Sequence, residues 1–171
     1  IPAYARRQRL VHTNHPTRLV SVSSARKLIT FHLLRHGEPE GGDVLRGRID
    51  HPLTAVGWQQ MRAAVARAAA TRDATGNLTH IVTSPLRRCH EFARALASEH
   101  AVDFQVEPNW QEIDYGDWDG MDLRQWRTLA APMFQAFRQD MARLVPPNGE
   151  AFTDFRDRVL QAWQGRAELP D

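Results

Sequence analysis

LITFHLLRHGE, residues 28–38, is the stretch on which the fold turns. Its first seven residues are rich in apolar and β-prone side chains and predict a buried strand. The apolar run then gives way to Arg35, His36, Gly37 and Glu38, followed by Pro39, Gly41 and Gly42. In open α/β sheets ligands gather beyond the carboxyl ends of the strands, so a guanidinium beside an imidazole at that position marks a candidate site.

The elements downstream supply the rest of such a sheet. THIVTS (79–84) predicts a second strand and DFQVEP (103–108) a short third one. Between the first two, Thr54 caps a helix whose apolar positions Val56, Met61, Ala64, Val65 and Ala68 recur at helical spacing, and DATGN (73–77) ends it. A second helix is expected from Pro85, a favoured first-turn residue, through Phe92, Leu96 and Ala97. Further helices are expected over 122–145 and 151–164, separated by PPNGE (146–150). Strand, helix, strand, helix, strand predicts an α/β fold, three α/β/α layers around a mostly parallel sheet.

At 171 residues one domain is expected, and 42% hydrophobic with 25% charged residues is ordinary for a globular chain. No apolar run approaches the roughly 20 residues of a membrane span. Cys89 is the single cysteine, which rules out an intrachain disulfide and suits a reducing cytoplasm. The net charge of +2 hides an asymmetry: Arg6, Arg7, Arg9, Arg18, Arg26 and Lys27 precede the first carboxylate, Glu38. Residues 1–27, with Pro2 and Pro16 and no helical apolar stripe, are expected as an extended or disordered extension before a domain over 28–171. Only Tyr4 interleaves its arginines, so nucleic-acid binding is not expected.

LLRHG, TSPLRR (83–88) and EIDYGDWDG (112–120) each follow a predicted strand. Together they offer an imidazole, guanidiniums and a carboxylate, which suits phosphoryl transfer to a protein nucleophile. Arginines spread the phosphoryl charge, His36 attacks phosphorus, and Glu112 protonates the leaving oxygen. His32 and His36 do not read as metal ligands, because four residues of strand set them roughly 13 Å apart at about 3.3 Å per residue.

Five blocks carry a family resemblance: LLRHGE, LRGRIDHPLTAVGWQQM (45–61), TSPLRRCHEFA (83–93), EIDYGDWDG and PPNGEAFTDFRDRV (146–159). In order and approximate spacing they resemble the histidine phosphatase superfamily, with its phosphoglycerate mutase-like fold. The resemblance implies that His36 becomes phosphorylated, that Arg35 and Arg88 clamp the phosphoryl group, and that Glu112 is the acid and base. Arg87 falls outside the matching position and is expected to be a solvated helix-start charge. An asparagine common in mutases would fall near Gly42, so Arg48 and the backbone of Gly37, Gly42 and Gly47 are the implied substrate-binding groups. Cofactor and metal are expected to be none. The implied partner is a small phosphorylated metabolite rather than nucleic acid or membrane, and a homodimer is an admissible assembly.

The family's second histidine, in a Thr/Ser-His-Gly-Gly block on a later strand, has no counterpart before Asp171, and His51, His80, His90 and His100 stand in other contexts. C-terminal residues of a longer protein, with their strand and His block, are therefore expected; the alternative is a catalytically impaired phosphate-binding module if the chain ends at Asp171. The short segment between Gly120 and Pro146 resembles phosphatases more than mutases. The blocks resemble most the α-ribazole-5′-phosphate phosphatases of bacterial cobalamin synthesis.

Overall fold

Thr54 starts the first helix and ties it to the RHGE turn. In the computed structural model, which describes residues 30–70 and 78–166, its hydroxyl accepts the Gly57 N–H at 3.0 Å, and α1 runs Ala55–Ala70. The same hydroxyl donates to Glu38 Oε1 at 3.0 Å, the Thr54 N–H reaches the Glu38 carbonyl at 3.0 Å, and Gln60 accepts the Glu38 N–H at 2.8 Å. The residues following His36 are thus hydrogen-bonded to the first turns of α1. The proposed helix terminator at 73–77 and the extension over 1–27 lie outside the described residues. The described residues from His32 onward form one compact unit, and of the residues before it only 30 and 31 are described.

β1 (His80–Thr83) and β2 (Asp103–Val106) pair in parallel, His80 opposite Asp103 and Thr83 opposite Val106. α2 (Arg87–His100) crosses between them. It begins two residues after Pro85 because Leu86 is extended, and the Asp50 carboxylate accepts the Arg87 N–H at 2.6 Å in place of a local cap. Ala101 in the left-handed region then closes the helix onto the Ala97 carbonyl.

Of the expected strand over 28–34, residues 28 and 29 lie outside the described residues, and 30–34 are a correction, since they form no strand. Among the described residues the sheet has two strands, and residues 30–38 join neither. Leu33 is 84% exposed and Leu34 41%. Apolar, β-prone composition makes a segment fit for a sheet, but only a hydrogen-bonded neighbour makes it a strand. The expected helix over 122–145 is also divided, into α3 (Leu123–Leu129) and α4 (Ala131–Gln139), with a 3₁₀ turn at Met141–Arg143. Pro132 explains the break at Ala130, since proline has no N–H for the preceding turn and suits the first turn of a new helix. Asp122 caps α3 by accepting the N–H groups of Arg124 and Gln125. α5 (Phe152–Gln164) follows PPNGE as expected.

Two apolar clusters hold these elements. Leu53, Met61 and Phe92 join α1 to α2, with Trp58 tilted on Phe92 at 5.4 Å. Leu45, Ile113, Trp118, Ala130 and Leu144 form the other, with Met133, Phe137, Phe152 and Phe155 packed on it. No described helix is long and apolar enough to cross a membrane.

The backbones of the RHGE turn and α1 touch through two glycines. A Cβ at Gly37 would stand 2.2 Å from the Gly57 carbonyl oxygen, and one at Gly57 2.1 Å from that of Glu38. Alanine normally stabilises a helix over glycine by about 0.5–1 kcal/mol. Gly57→Ala should do the opposite, lowering stability by about 1–3 kcal/mol as the turn is pushed from the helix. Urea unfolding midpoints of the two proteins check the sign.

Candidate active site

The segment Gly47–Ile49 is held from both sides. Asp119 accepts the Gly47 and Ile49 N–H groups, both at 2.7 Å, while Arg88 donates to their carbonyls, Nη2 to Gly47 at 2.9 Å and Nη1 to Ile49 at 3.1 Å. Gly47 lets the segment lie against the Ile113 backbone, since a Cβ there would stand 2.4 Å from the Ile113 carbonyl oxygen. Arg88 is only 1% exposed, and its Nε–H has no hydrogen-bond partner among the described residues. A buried guanidinium facing neutral carbonyls leaves positive potential uncompensated, the condition that an anion relieves.

That potential faces a pocket of about 190 Å³. His36, Ser84, Arg88, Cys89 and Glu112 line it, with Leu86, Trp110, Gln111, Phe155 and Val159. Three of the residues singled out from sequence therefore share one cavity, brought there by the RHGE turn, the start of α2, and the segment after the 3₁₀ turn Pro108–Trp110.

His36 is half-buried, and its Nδ1 lies 2.8 Å from the Gly37 carbonyl oxygen. A carbonyl only accepts, so Nδ1 carries the proton and Nε2 of the neutral ring carries the lone pair. Burial holds the imidazole pKa below 6.5, against the Gly37 hydrogen bond; the charges of Arg88 and Arg35 push it further down, and Glu112 opposes them. Glu112 Oε1 accepts the Ile113 N–H at 3.0 Å. Nearby, burial and then the charges of Glu112 and Asp119 push the Tyr115 hydroxyl up to about 12, so it stays un-ionised at neutral pH. Burial likewise raises the Cys89 thiol.

The other residues singled out from sequence stand outside the pocket wall. Arg35 is exposed. Arg48 lies 3.8 Å from a Glu150 oxygen, with its Nε buried and unpartnered among the described residues. Gly37 serves the contact with α1, and Gly42 is an exposed turn glycine at φ +70° whose carbonyl accepts from Arg46 at 2.8 Å. Arg87 is exposed and paired with Glu91 at 2.7 Å.

Sequence reasoning missed the supporting shell: Asp119, Glu150, Arg158, and the pocket wall of Trp110, Phe155 and Val159. For Arg158 a signal existed. It interrupts the apolar stripe of Phe152, Phe155 and Val159 on α5, where a charge needs a partner.

A model of the histidine phosphatase superfamily (branch 1) matches residues 31–170. The chain is 32% identical over 146 residues to a bifunctional protein of Mycobacterium tuberculosis, across 80% of this chain and 39% of that protein. It is 30% identical over 129 residues to the adenosylcobalamin/alpha-ribazole phosphatase of Escherichia coli, across 74% of this chain and 61% of that one. The structure of a mycobacterial glucosyl-3-phosphoglycerate phosphatase matches it with a TM-score of 0.60 and 28% identity, across 78% of this chain and 62% of that one. The chain spans less than two thirds of the length of each of these proteins. Since the match runs through the RHGE turn, the parallel β1–β2 unit and the helices that enclose the pocket, the chain belongs to the histidine phosphatase superfamily and has its phosphoglycerate mutase-like α/β fold.

Proposed function

We propose that the protein is a phosphomonoester hydrolase working through a phosphohistidine at His36. The observation that carries this reading is the His36 ring, whose Nδ1–H is committed to the Gly37 carbonyl, leaving a lone pair on Nε2 in the pocket that Arg88 and Glu112 share. A lowered pKa keeps that lone pair available at neutral pH.

In the first step Nε2 attacks phosphorus and the bond to the ester oxygen breaks. The Arg88 Nε–H, buried and unpartnered, donates to a phosphoryl oxygen, and Arg35, on the adjoining turn, supplies a second guanidinium. Glu112 enters as the carboxylic acid and gives its proton to the departing alkoxide, which leaves as the alcohol. In the second step the Glu112 carboxylate takes a proton from water as the oxygen attacks phosphorus. The P–N electron pair returns to Nε2, inorganic phosphate leaves, and Glu112 is again the acid.

Among phosphomonoesters, α-ribazole-5′-phosphate is the substrate proposed first. The five-block resemblance supports it, as does the 30% identity to the Escherichia coli protein of that name. Phosphoglycerate mutase-type transfer is the alternative, with a probable phosphoglycerate mutase of Proteus mirabilis 29% identical over 150 residues. The short segment over residues 121–145 favours the phosphatase. Release of inorganic phosphate, against transfer to a second hydroxyl of the substrate, separates the two.

His36→Ala should abolish acid-labile phosphate uptake from a labelled phosphomonoester while circular dichroism stays unchanged, because the ring is only half-buried. Uptake at the wild-type level would remove His36 as nucleophile. In the intact protein kcat/KM should fall on the acid side with a midpoint below 6.5, because a protonated Nε2 has no lone pair to offer. Arg88→Ala should weaken vanadate binding by about 2–5 kcal/mol, the range for one partner of a desolvated charged contact, and Arg87→Ala should leave it unchanged. Isothermal titration of the two variants gives the ranking, and the reverse order would displace Arg88 from the site.

A further inference from the structure

Glu112 sits on irregular backbone just after a single 3₁₀ turn, where no strand or helix fixes it. Its tether is one side chain from another element. Arg158 on α5 donates through Nη1 to the carbonyls of Asn109 at 2.6 Å and Gln111 at 2.9 Å, and through Nη2 to that of Glu112 itself at 3.2 Å. The same guanidinium is bidentate with Glu150, Nε to Oε1 at 2.5 Å and Nη2 to Oε2 at 2.8 Å. Glu150 in turn accepts the Asp114 N–H at 3.3 Å and gives its own N–H to the Asp114 carbonyl at 2.9 Å. Both side chains of the pair are mostly buried, 18% and 16% exposed, and the guanidinium lies 5.0 Å from the centre of the Phe155 ring, which lines the pocket.

We propose that Arg158, oriented by Glu150, is the positioning residue for Glu112: it clamps the backbone on both sides of the acid and so sets where its carboxyl stands against the leaving oxygen. The proposal rests on the acid role given to Glu112 above. An ion pair serving stability alone would need Glu150 only, whereas here three carbonyls, of Asn109, Gln111 and Glu112, are gathered on the adjoining Nη1–Nη2 edge of the guanidinium. The task is also specific to arginine. A planar fork can bind a carboxylate along one edge and carbonyls along another, while an ammonium keeps the charge and loses the geometry. Displacing a reacting group by about 1 Å costs up to 10²-fold in rate.

The test compares kcat/KM on an alkyl phosphate, whose alkoxide needs a proton to leave, with that on p-nitrophenyl phosphate, whose phenolate leaves without one. Glu112→Gln, Arg158→Lys and Glu150→Gln are made in the full-length protein, with melting temperatures measured beside the rates. Glu112→Gln should lower the alkyl-to-aryl ratio by about 10²- to 10⁴-fold, the range for a lost general acid. Arg158→Lys should lower it by at least about tenfold, and combining it with Glu112→Gln should lower it no further than Glu112→Gln alone. A fall in both substrates together, ratio unchanged, while Glu112→Gln moves the ratio, makes Arg158 merely structural and overturns the proposal. A ratio untouched by Glu112→Gln overturns the acid assignment, and the proposal with it. If Arg158→Lys melts too low to assay, Glu150→Gln, which removes the charge orienting the guanidinium, must lower the ratio in its place; an unchanged ratio there is equally fatal.

Discussion

A guanidinium buried against neutral carbonyls governs the site. Arg88 gives Nη1 and Nη2 to the Ile49 and Gly47 carbonyls, keeps Nε–H unpartnered, and has no carboxylate within ion-pair distance among the described residues. Removing a full charge from water costs several kcal/mol unless something opposes it. Asp119 stabilises the arrangement indirectly, by fixing the N–H side of the Gly47–Ile49 segment whose carbonyls Arg88 uses. What remains is a preorganised positive potential in the pocket wall. That potential also helps to hold the His36 imidazole neutral, so the buried charge favours the protonation state that the proposed role of His36 requires.

Around this charge, each residue proposed to react is held by a different element through its backbone. The RHGE turn rests on α1 through Thr54, Gln60 and a pair of glycines in backbone contact. Asp50 caps α2 and so fixes the start of the helix that carries Arg88. The Glu112 segment hangs on Arg158 and Glu150. Side chains that grip neighbouring main chain make geometry a matter of fold rather than of local rigidity. That is how irregular segments, which lack ladder hydrogen bonds of their own, can carry chemistry.

Much of this was legible in the sequence because it repeats with a period. The spacing of Met61, Ala64, Val65 and Ala68 and the Thr54 cap mark α1, and the short apolar runs after residues 79 and 103 mark β1 and β2. His36, Arg88 and Glu112, picked out by motif, line one pocket. What failed was non-periodic or non-local. The 28–34 run has the composition of a strand, but strand formation depends on a neighbour that composition does not name. The helix expected over 122–145 ran across Pro132, and the proline decided the matter by its missing N–H. Asp119, Glu150 and Arg158 act on main-chain groups far away in sequence, so no local pattern betrays them beyond a charge set in an apolar stripe.

The central claim is that the neutral His36 ring offers Nε2, because Nδ1–H is held by the Gly37 carbonyl. Phosphorus NMR of the phosphoenzyme, quenched and denatured at alkaline pH during turnover of a phosphomonoester, distinguishes phosphorus on either ring nitrogen. The account predicts a single phosphohistidine substituted at Nε2 of His36. Substitution at Nδ1, or on any other residue, would contradict it.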